Sequence, residues 1–447
     1  MPAARAHEQR SDHDEDSDHH GVPSGPAGPF GRYTHKRRGG PERIHLDPGG
    51  ARPYGSGPAV HRAVFGQLSF PSAWVGNPAA RLSVVAGMTA SNSEFIRGTA
   101  RGTAPVPLSV LDLAAVGEGT TAHEALRASA RLARLAEARG LLRYWVAEHH
   151  SMPGISSSSP AVVLAHLAAQ TRTLRLGSGG VMLPNHAPLV VAEQFGTLEA
   201  LAPGRIDLGL GRAPGTDGAT AAALRRAAGA QADDFPAEVA ELIRFLRDDF
   251  PDGHPYRRIH AVPGPVQGEV GQPQVWLLGS SGFSARLAGE LGLPFAFAHH
   301  FSARNTLPAL ELYRSSFRPS ATLAEPYVVL GVFAFAGETT EEAHRQALTG
   351  ALATVRLRSG RPGLVPTPEE AERHVFTEQE RAVLGTWLDN ALYGTADEVT
   401  AGLYELQKRT DADELMLAMN SHSPDFRVRS YELIADAYGM PADVTAG

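Results

Sequence analysis

The sequence predicts a closed (β/α)8 barrel, an α/β fold, preceded by a long extension that stands outside it. Three observations carry this. From residue 106 onward, short apolar runs alternate strictly with stretches of helical periodicity, the pattern of a parallel sheet with crossover helices. Eight such units in the roughly 340 residues after 105 suit a closed barrel with insertions better than an open sheet. Glycine and polar residues gather where the runs end, the face on which such barrels build their sites.

The elements follow in order. Residues 107–113 (PLSVLDL) form the first strand, and 122–139 the first helix, stopped by Gly140. Residues 143–149 (RYWVAEH) are the second strand. Ser157-Ser158-Ser159-Pro160 opens the next helix, since Ser caps and Pro suits a first turn. Strand 174–183, helix 189–201 and strand 205–210 come next, with a fourth helix inside a long connection. Strands 275–278, 294–298 and 327–336 alternate with helices 281–291, 305–317 and 340–358. Helix 397–409, strand 414–419 and helix 428–438 complete the alternation. Residues 213–231 and 251–272, around the fourth helix, and 360–395 exceed ordinary connections and read as lids.

Composition narrows the function. The 447 residues are 43% hydrophobic and 20% charged, and none is cysteine. Structural disulfides, zinc ribbons, iron–sulfur clusters and thiol nucleophiles are thereby excluded. A net charge of −7 and a pI near 6.3 give no field that would favour nucleic acid. No run is long and apolar enough to span a membrane, and the first twenty residues lack the apolar centre of a signal peptide. The expectation is a soluble, cytoplasmic protein. Residues 1–104 hold 15 Gly and 10 Pro without sustained periodicity and are expected to be a disordered extension. They include an acidic, histidine-rich tract (11–20) and a basic cluster (35–38), both read as solvated chain rather than as a metal tail or a phosphate patch. Residues 105–447 form a single barrel domain.

The strand ends supply the candidates: Asp112; Glu148-His149-His150; Gly177 to Gly180 with His186; Gly209 to Arg212; Gly279 to Gly282; and His299-His300. Neighbouring residues on a strand point to opposite faces, so neither His pair can supply two ligands, and no His-x-His occurs in the barrel region. No metal is expected. One His of each pair should face the pocket while the other packs or caps. Gly177 and Gly179 share one face, as do Gly209 and Gly211, leaving a slot for a planar cofactor. The run Gly209 to Gly215 is not a dinucleotide fingerprint, because its third Gly is displaced and Pro214 breaks the helix the motif must open. Gly279-Ser280-Ser281-Gly282 stands between a strand and a helix, where free N–H groups and hydroxyls could hold a phosphate with Arg212 as counter-charge.

Residues 143–150 (RYWVAEHH), 177–184 and 203–212 (PGRIDLGLGR) together resemble the bacterial luciferase-like, flavin-dependent monooxygenases. The resemblance runs from about residue 107 to 438, leaving the extension outside. It implies a barrel that takes reduced FMN from a separate flavin reductase and works as a homodimer. It also implies that a flavin 4a-hydroperoxide, formed with O2, oxygenates a small organic substrate. His149 matches the family's catalytic histidine, with His186 and His300 as further candidates for proton transfer. Gly179-Gly180 matches a cis peptide beneath the flavin, Arg212 the phosphate-binding arginine, and Ser280-Ser281 the loop completing that site. Gly211 stands where luciferase itself has a cysteine and Gly279 where it has a carboxylate, so light emission is not implied. Two other readings stay open: a deazaflavin-dependent hydride-transfer enzyme of the same superfamily, and a non-catalytic flavin-binding protein.

Overall fold

The computed structural model describes residues 97–213, 215–224, 234–268 and 271–442. The extension expected over 1–104, with its acidic tract and basic cluster, lies outside the described residues as far as 96. Its last stretch is described and packs on the barrel: Arg97 lies 5.5 Å from the Tyr327 ring centroid, and the Thr103 amide donates to the Tyr438 carbonyl at 2.8 Å.

Among the described residues there are nine parallel strands: β1 (Leu108–Asp112), β2 (Arg143–Val146), β3 (Arg175–Met182), β4 (Ile206–Gly211), β5 (Gln274–Gly279), β6 (Phe295–Ala298), β7 (Val328–Gly337), β8 (Leu392–Thr395) and β9 (Glu414–Ala418). Eight of them close a ring, because β6 pairs with β7, β7 with β9 and β9 with β1. All eight strands read from the sequence are there, and the fold is the expected (β/α)8 barrel. The ninth, β8, pairs only with the far half of β7, from Ala334 to Gly337, and stands outside the ring.

The helices are α1 (Ala122–Ala138), α2 (Pro160–Ala168), α3 (Pro188–Leu201), α4 (Gly218–Leu224), α5 (Phe235–Arg247), α6 (Gly282–Leu291), α7 (His299–Ser302), α8 (Thr306–Ser316), α9 (Thr340–Arg358), α10 (Pro368–Arg373), α11 (Glu378–Asp389), α12 (Ala396–Thr410) and α13 (Pro424–Ala437). Local chemistry starts several of them. Thr121 and Glu124, Thr377 and Glu380, and Thr395 and Glu398 form reciprocal capping boxes, each satisfying amides that the first turn leaves free. The stretch 360–395, expected to be a loop, therefore contains α10, α11 and β8.

Strand alternation sorts the interior into layers. One layer holds Trp145, Trp276, Val329 and Met416, with the two indoles edge to face at 5.2 Å. The layer toward the strand N-termini is charged, which corrects the expectation of apolar strand bodies. There the fully buried Arg143 donates to Glu414 and to Asp207, at 2.9 and 3.0 Å. Arg175 meets Asp207 at 2.6 Å, and the Tyr327 hydroxyl donates to Glu414 at 2.9 Å. Each charge has an opposite partner within contact distance, which is what allows such groups to be buried at all.

Candidate active site

The site is built where β2, β3, β4 and β6 end. Beyond Val146 the chain leaves the sheet, and Glu148, His149 and His150 diverge. The Glu148 carboxylate is 1% exposed; one oxygen accepts from the Nε2 of both His150 and His186, each at 2.8 Å. Its other oxygen accepts from the Met182 amide at 3.2 Å. Burial alone would raise its pKa, but the hydrogen bonds from His186, His150 and Met182 outweigh it and hold the group below the usual carboxylate range.

His149 is held differently. Its amide donates to the Ser157 carbonyl at 3.2 Å, while its buried Nδ1 has no hydrogen-bond partner. Burial lowers its pKa to about 4, so the ring stands neutral at pH 7. His300 is neutral for the same reason, its pKa also lowered to about 4 by burial, and a proton on either ring opposes one on the other. The His300 Nδ1 lies 2.9 Å from the Gly331 carbonyl, which can only accept, so Nδ1 carries the hydrogen and Nε2 keeps its lone pair. Phe301 and Phe333 flank the ring at 4.1 and 4.8 Å. His299 turns instead to the Thr306 hydroxyl at 2.8 Å. The members of each histidine pair thus go separate ways, although His299 and His300 lie on α7 rather than on a strand.

The glycines correct one expectation. A β-carbon at Gly177 would meet Trp145 Nε1 at 2.6 Å, and at Gly179 Leu111 Cδ1 at 2.6 Å. At Gly209 it would meet the Ser178 carbonyl at 2.2 Å, at Gly180 the Gly209 carbonyl at 2.7 Å, and at Gly211 Met182 Sδ at 2.8 Å. The space read as a cofactor slot is filled by neighbouring strands and by Trp145; these glycines let β2, β3 and β4 approach closely. The Gly179–Gly180 peptide is cis and coincides with a register shift between Ser178 and Val181. Gly279 packs against Ser284, whose Cβ a side chain there would meet at 2.7 Å.

Arg212 follows β4 and lays its guanidinium 4.3 Å from the Phe283 ring centroid, at the first turn of α6. It has no hydrogen-bond or ion-pair partner among the described residues. Ser281 occupies the N-cap of α6 in extended conformation, yet its hydroxyl makes no capping hydrogen bond, and Ser280 and Ser281 are both exposed. A free cation, unengaged hydroxyls and free first-turn amides converge, which is the chemistry of an anion site. The segment after Arg212 then returns to the histidines, where the Thr216 hydroxyl donates to the His150 carbonyl at 2.9 Å.

Sequence reasoning had passed over Glu148 as an organiser. It sought His-x-His, whereas the side chains two apart that share a direction are Glu148 and His150. Asp112, a candidate by position, is structural: it accepts from the Tyr144 hydroxyl at 2.6 Å, the Ala114 amide at 2.9 Å and the Ser129 hydroxyl.

Residues 106–413 match the family described as luciferase-like monooxygenase. The chain belongs to the luciferase-like monooxygenase family. A luciferase-like monooxygenase of Escherichia coli (strain K12) is 47% identical over 331 residues, covering 74% of this chain and 96% of its own. The N-acetyl-S-alkylcysteine monooxygenase of Bacillus subtilis (strain 168) is 36% identical over 335 residues, with 74% and 98% covered. Among solved structures, apo-MsnO8 superposes with a TM-score of 0.65 at 35% identity, covering 75% of this chain and 99% of that one. Membership of the luciferase-like monooxygenases makes this an enzyme of that class. No helix among the described residues is long and apolar enough to cross a membrane.

Proposed function

We propose that this luciferase-like monooxygenase is a cytoplasmic enzyme that uses reduced FMN, supplied by a separate flavin reductase, and O2 to oxygenate a small organic substrate. The observation that carries the reading is the Arg212 guanidinium on Phe283, without a hydrogen-bond or ion-pair partner among the described residues, beside the uncapped start of α6. Those groups fit the phosphate of a mononucleotide, and Arg212, Ser280 and Ser281 are the residues that would hold it. The same fold carries FMN in the oxygenating constituent of a 3,6-diketocamphane monooxygenase, which supports FMN as the occupant. When bound, reduced flavin supplies the electrons that activate O2.

The chain's own residues supply the rest. His149 is neutral and has an unengaged ring nitrogen, so it can accept a proton without first losing one. Its burial, with that of His300 between Phe301 and Phe333, keeps water from the reacting region. Glu148 holds His150, His186 and the Met182 amide and so fixes the backbone on which His149 is carried. A homodimer is supported by α2 and α3, which pack together and are rich in apolar residues. They leave Val162 71% and Val190 45% exposed.

Anaerobic titration with reduced FMN, reduced riboflavin and a reduced deazaflavin tests the cofactor. FMN should bind tightest and riboflavin markedly more weakly. A preference for the deazaflavin would replace this reading with hydride transfer, as in the F420-dependent secondary alcohol dehydrogenase of the same fold. Saturation by FMN without any O2-dependent turnover of candidate substrates would leave a flavin-binding protein.

A further inference from the structure

We propose that Glu148, His150 and His186 form a binding site for a divalent transition-metal ion at the end of the barrel strands. The three side chains bring one carboxylate oxygen and two imidazole nitrogens within 4.8 Å of one another. Two histidines and a carboxylate are a donor set that first-row divalent ions, zinc above all, accept readily. Glu148 and His150, two residues apart just beyond the end of β2, meet through a 2.8 Å hydrogen bond, and His186 arrives from the turn after β3.

The geometry is close to what an ion requires. Each Nε2 lies 2.8 Å from the shared oxygen, whereas donors around a tetrahedral zinc stand about 3.3 Å apart. Each ring therefore has to back away by roughly half an ångström, a motion within ordinary side-chain rotation. The carboxylate is already oriented for the task, since its second oxygen is held by the Met182 amide, the kind of outer partner that fixes a ligand. Side-chain exposures of 14% for His150 and 27% for His186 leave an entry path and room for water in a fourth position. Binding transfers no electrons. Each imidazole gives up the Nε2 hydrogen that it donates to Glu148, to its own Nδ1 or to water, and the freed Nε2 lone pair takes the ion. An ion here would tie the end of β2 to the turn after β3 and fix the backbone of His149, whose two chain neighbours are both ligands.

The test is a Co2+ titration of the full chain, followed by visible absorption and by melting temperature, with Zn2+ as competitor. Wild type is compared with His150→Gln and His186→Gln, which keep a hydrogen-bond donor toward Glu148. The histidine-rich tract at 11–20 is present in all three proteins, so the difference between them isolates the site. Wild type should bind one more equivalent than either variant, with intense absorption of low-coordinate Co2+ that Zn2+ displaces. Either variant should lose on the order of a hundredfold in affinity at that equivalent, the upper end of what even an outer partner costs. Equal stoichiometry and equal spectra in all three proteins would overturn the proposal. Should the variants fail to fold, anomalous scattering from wild-type crystals grown with equimolar Zn2+ decides it: a peak between Glu148, His150 and His186 supports the site, and its absence refutes it.

Discussion

Arg212 stacks on Phe283 with 4.3 Å between the guanidinium carbon and the ring centroid, joining the end of β4 to the start of α6. The stack aims a cation at the helix N-terminus without consuming its hydrogen-bond donors. Arg212→Ala should therefore weaken FMN far more than riboflavin, which has the ring system but no phosphate. A lost charge-assisted bond of this kind is worth ~1.5–3 kcal/mol, or roughly ten- to a hundredfold in affinity. Equal losses for the two ligands, measured anaerobically, would mean that Arg212 supports the fold instead. Ser280→Ala should cost less, because the first-turn amides of α6 remain.

His149→Ala should leave FMN affinity nearly unchanged while slowing turnover or diverting O2 to hydrogen peroxide. The ring is neutral at pH 7 and its Nδ1 is unengaged, so what is removed is a proton acceptor rather than a structural tie. Product yield per O2 consumed is the quantity to follow. Unaltered coupling and turnover would take His149 out of the mechanism.

Acid should destabilise the fold through its buried histidines. Burial lowers the pKa of His149, His299 and His300 to about 4 each. Below an ordinary value near 6.5 the unfolded chain gains protons that the folded chain refuses, so stability held above that pH is lost as pH falls toward 4. Each ring contributes a slope of up to about 1.4 kcal/mol per pH unit inside this window. The urea midpoint should drop steeply between pH 6.5 and 5. A flat midpoint over that range would show that these rings are protonated in the native protein.

Asp207→Ala should be among the more damaging substitutions in the chain. It removes the shared partner of Arg143 and Arg175 and a hydrogen bond from the Trp145 indole at 3.1 Å. Glu414 still pairs with Arg143, so one buried guanidinium charge is left uncompensated, at a cost on the order of 3–5 kcal/mol. Urea unfolding of the purified variant gives the number, and a loss below about 1 kcal/mol would mean that water replaces the carboxylate.

A chain beginning at Arg97 should fold and bind flavin like the full-length protein, because the Gly- and Pro-rich segment before it has little apolar surface to contribute. Starting at Ala104 instead removes Arg97 from Tyr327 and from Asp413, 3.6 Å away, and should lower the melting temperature by a few degrees. Identical melting curves for both truncations would make residues 97–103 dispensable.

The eight barrel strands were legible because alternation and length leave few other readings for such runs. What escaped had local signals of a different kind. Thr367 with Glu370 and Thr377 with Glu380 announce α10 and α11 by their caps, yet a search for apolar periodicity passes over helices this short and polar. Arg143, Asp207 and Glu414 sit in strands whose other residues are apolar, and nothing in one strand says that a charge on another will meet it. The glycine cluster misled for a related reason: sequence shows a missing side chain but not the neighbour, here Trp145 or Ser178, that fills its place. His149, Arg212 and Glu148 are legible by position at strand ends, but the part Glu148 plays in holding His150, His186 and the Met182 amide depends on contacts that no sequence spacing announces.

The ion cluster of Arg143, Arg175, Asp207 and Glu414 has a consequence for traffic. With the two indoles above it, it fills the base of the barrel, away from the strand ends. Substrate, oxygen and product must use the same rim that Arg212 and His186 occupy. On the proposed reading, an occupant of that rim would stand in the way of the others, and the order of arrival would become part of the cycle.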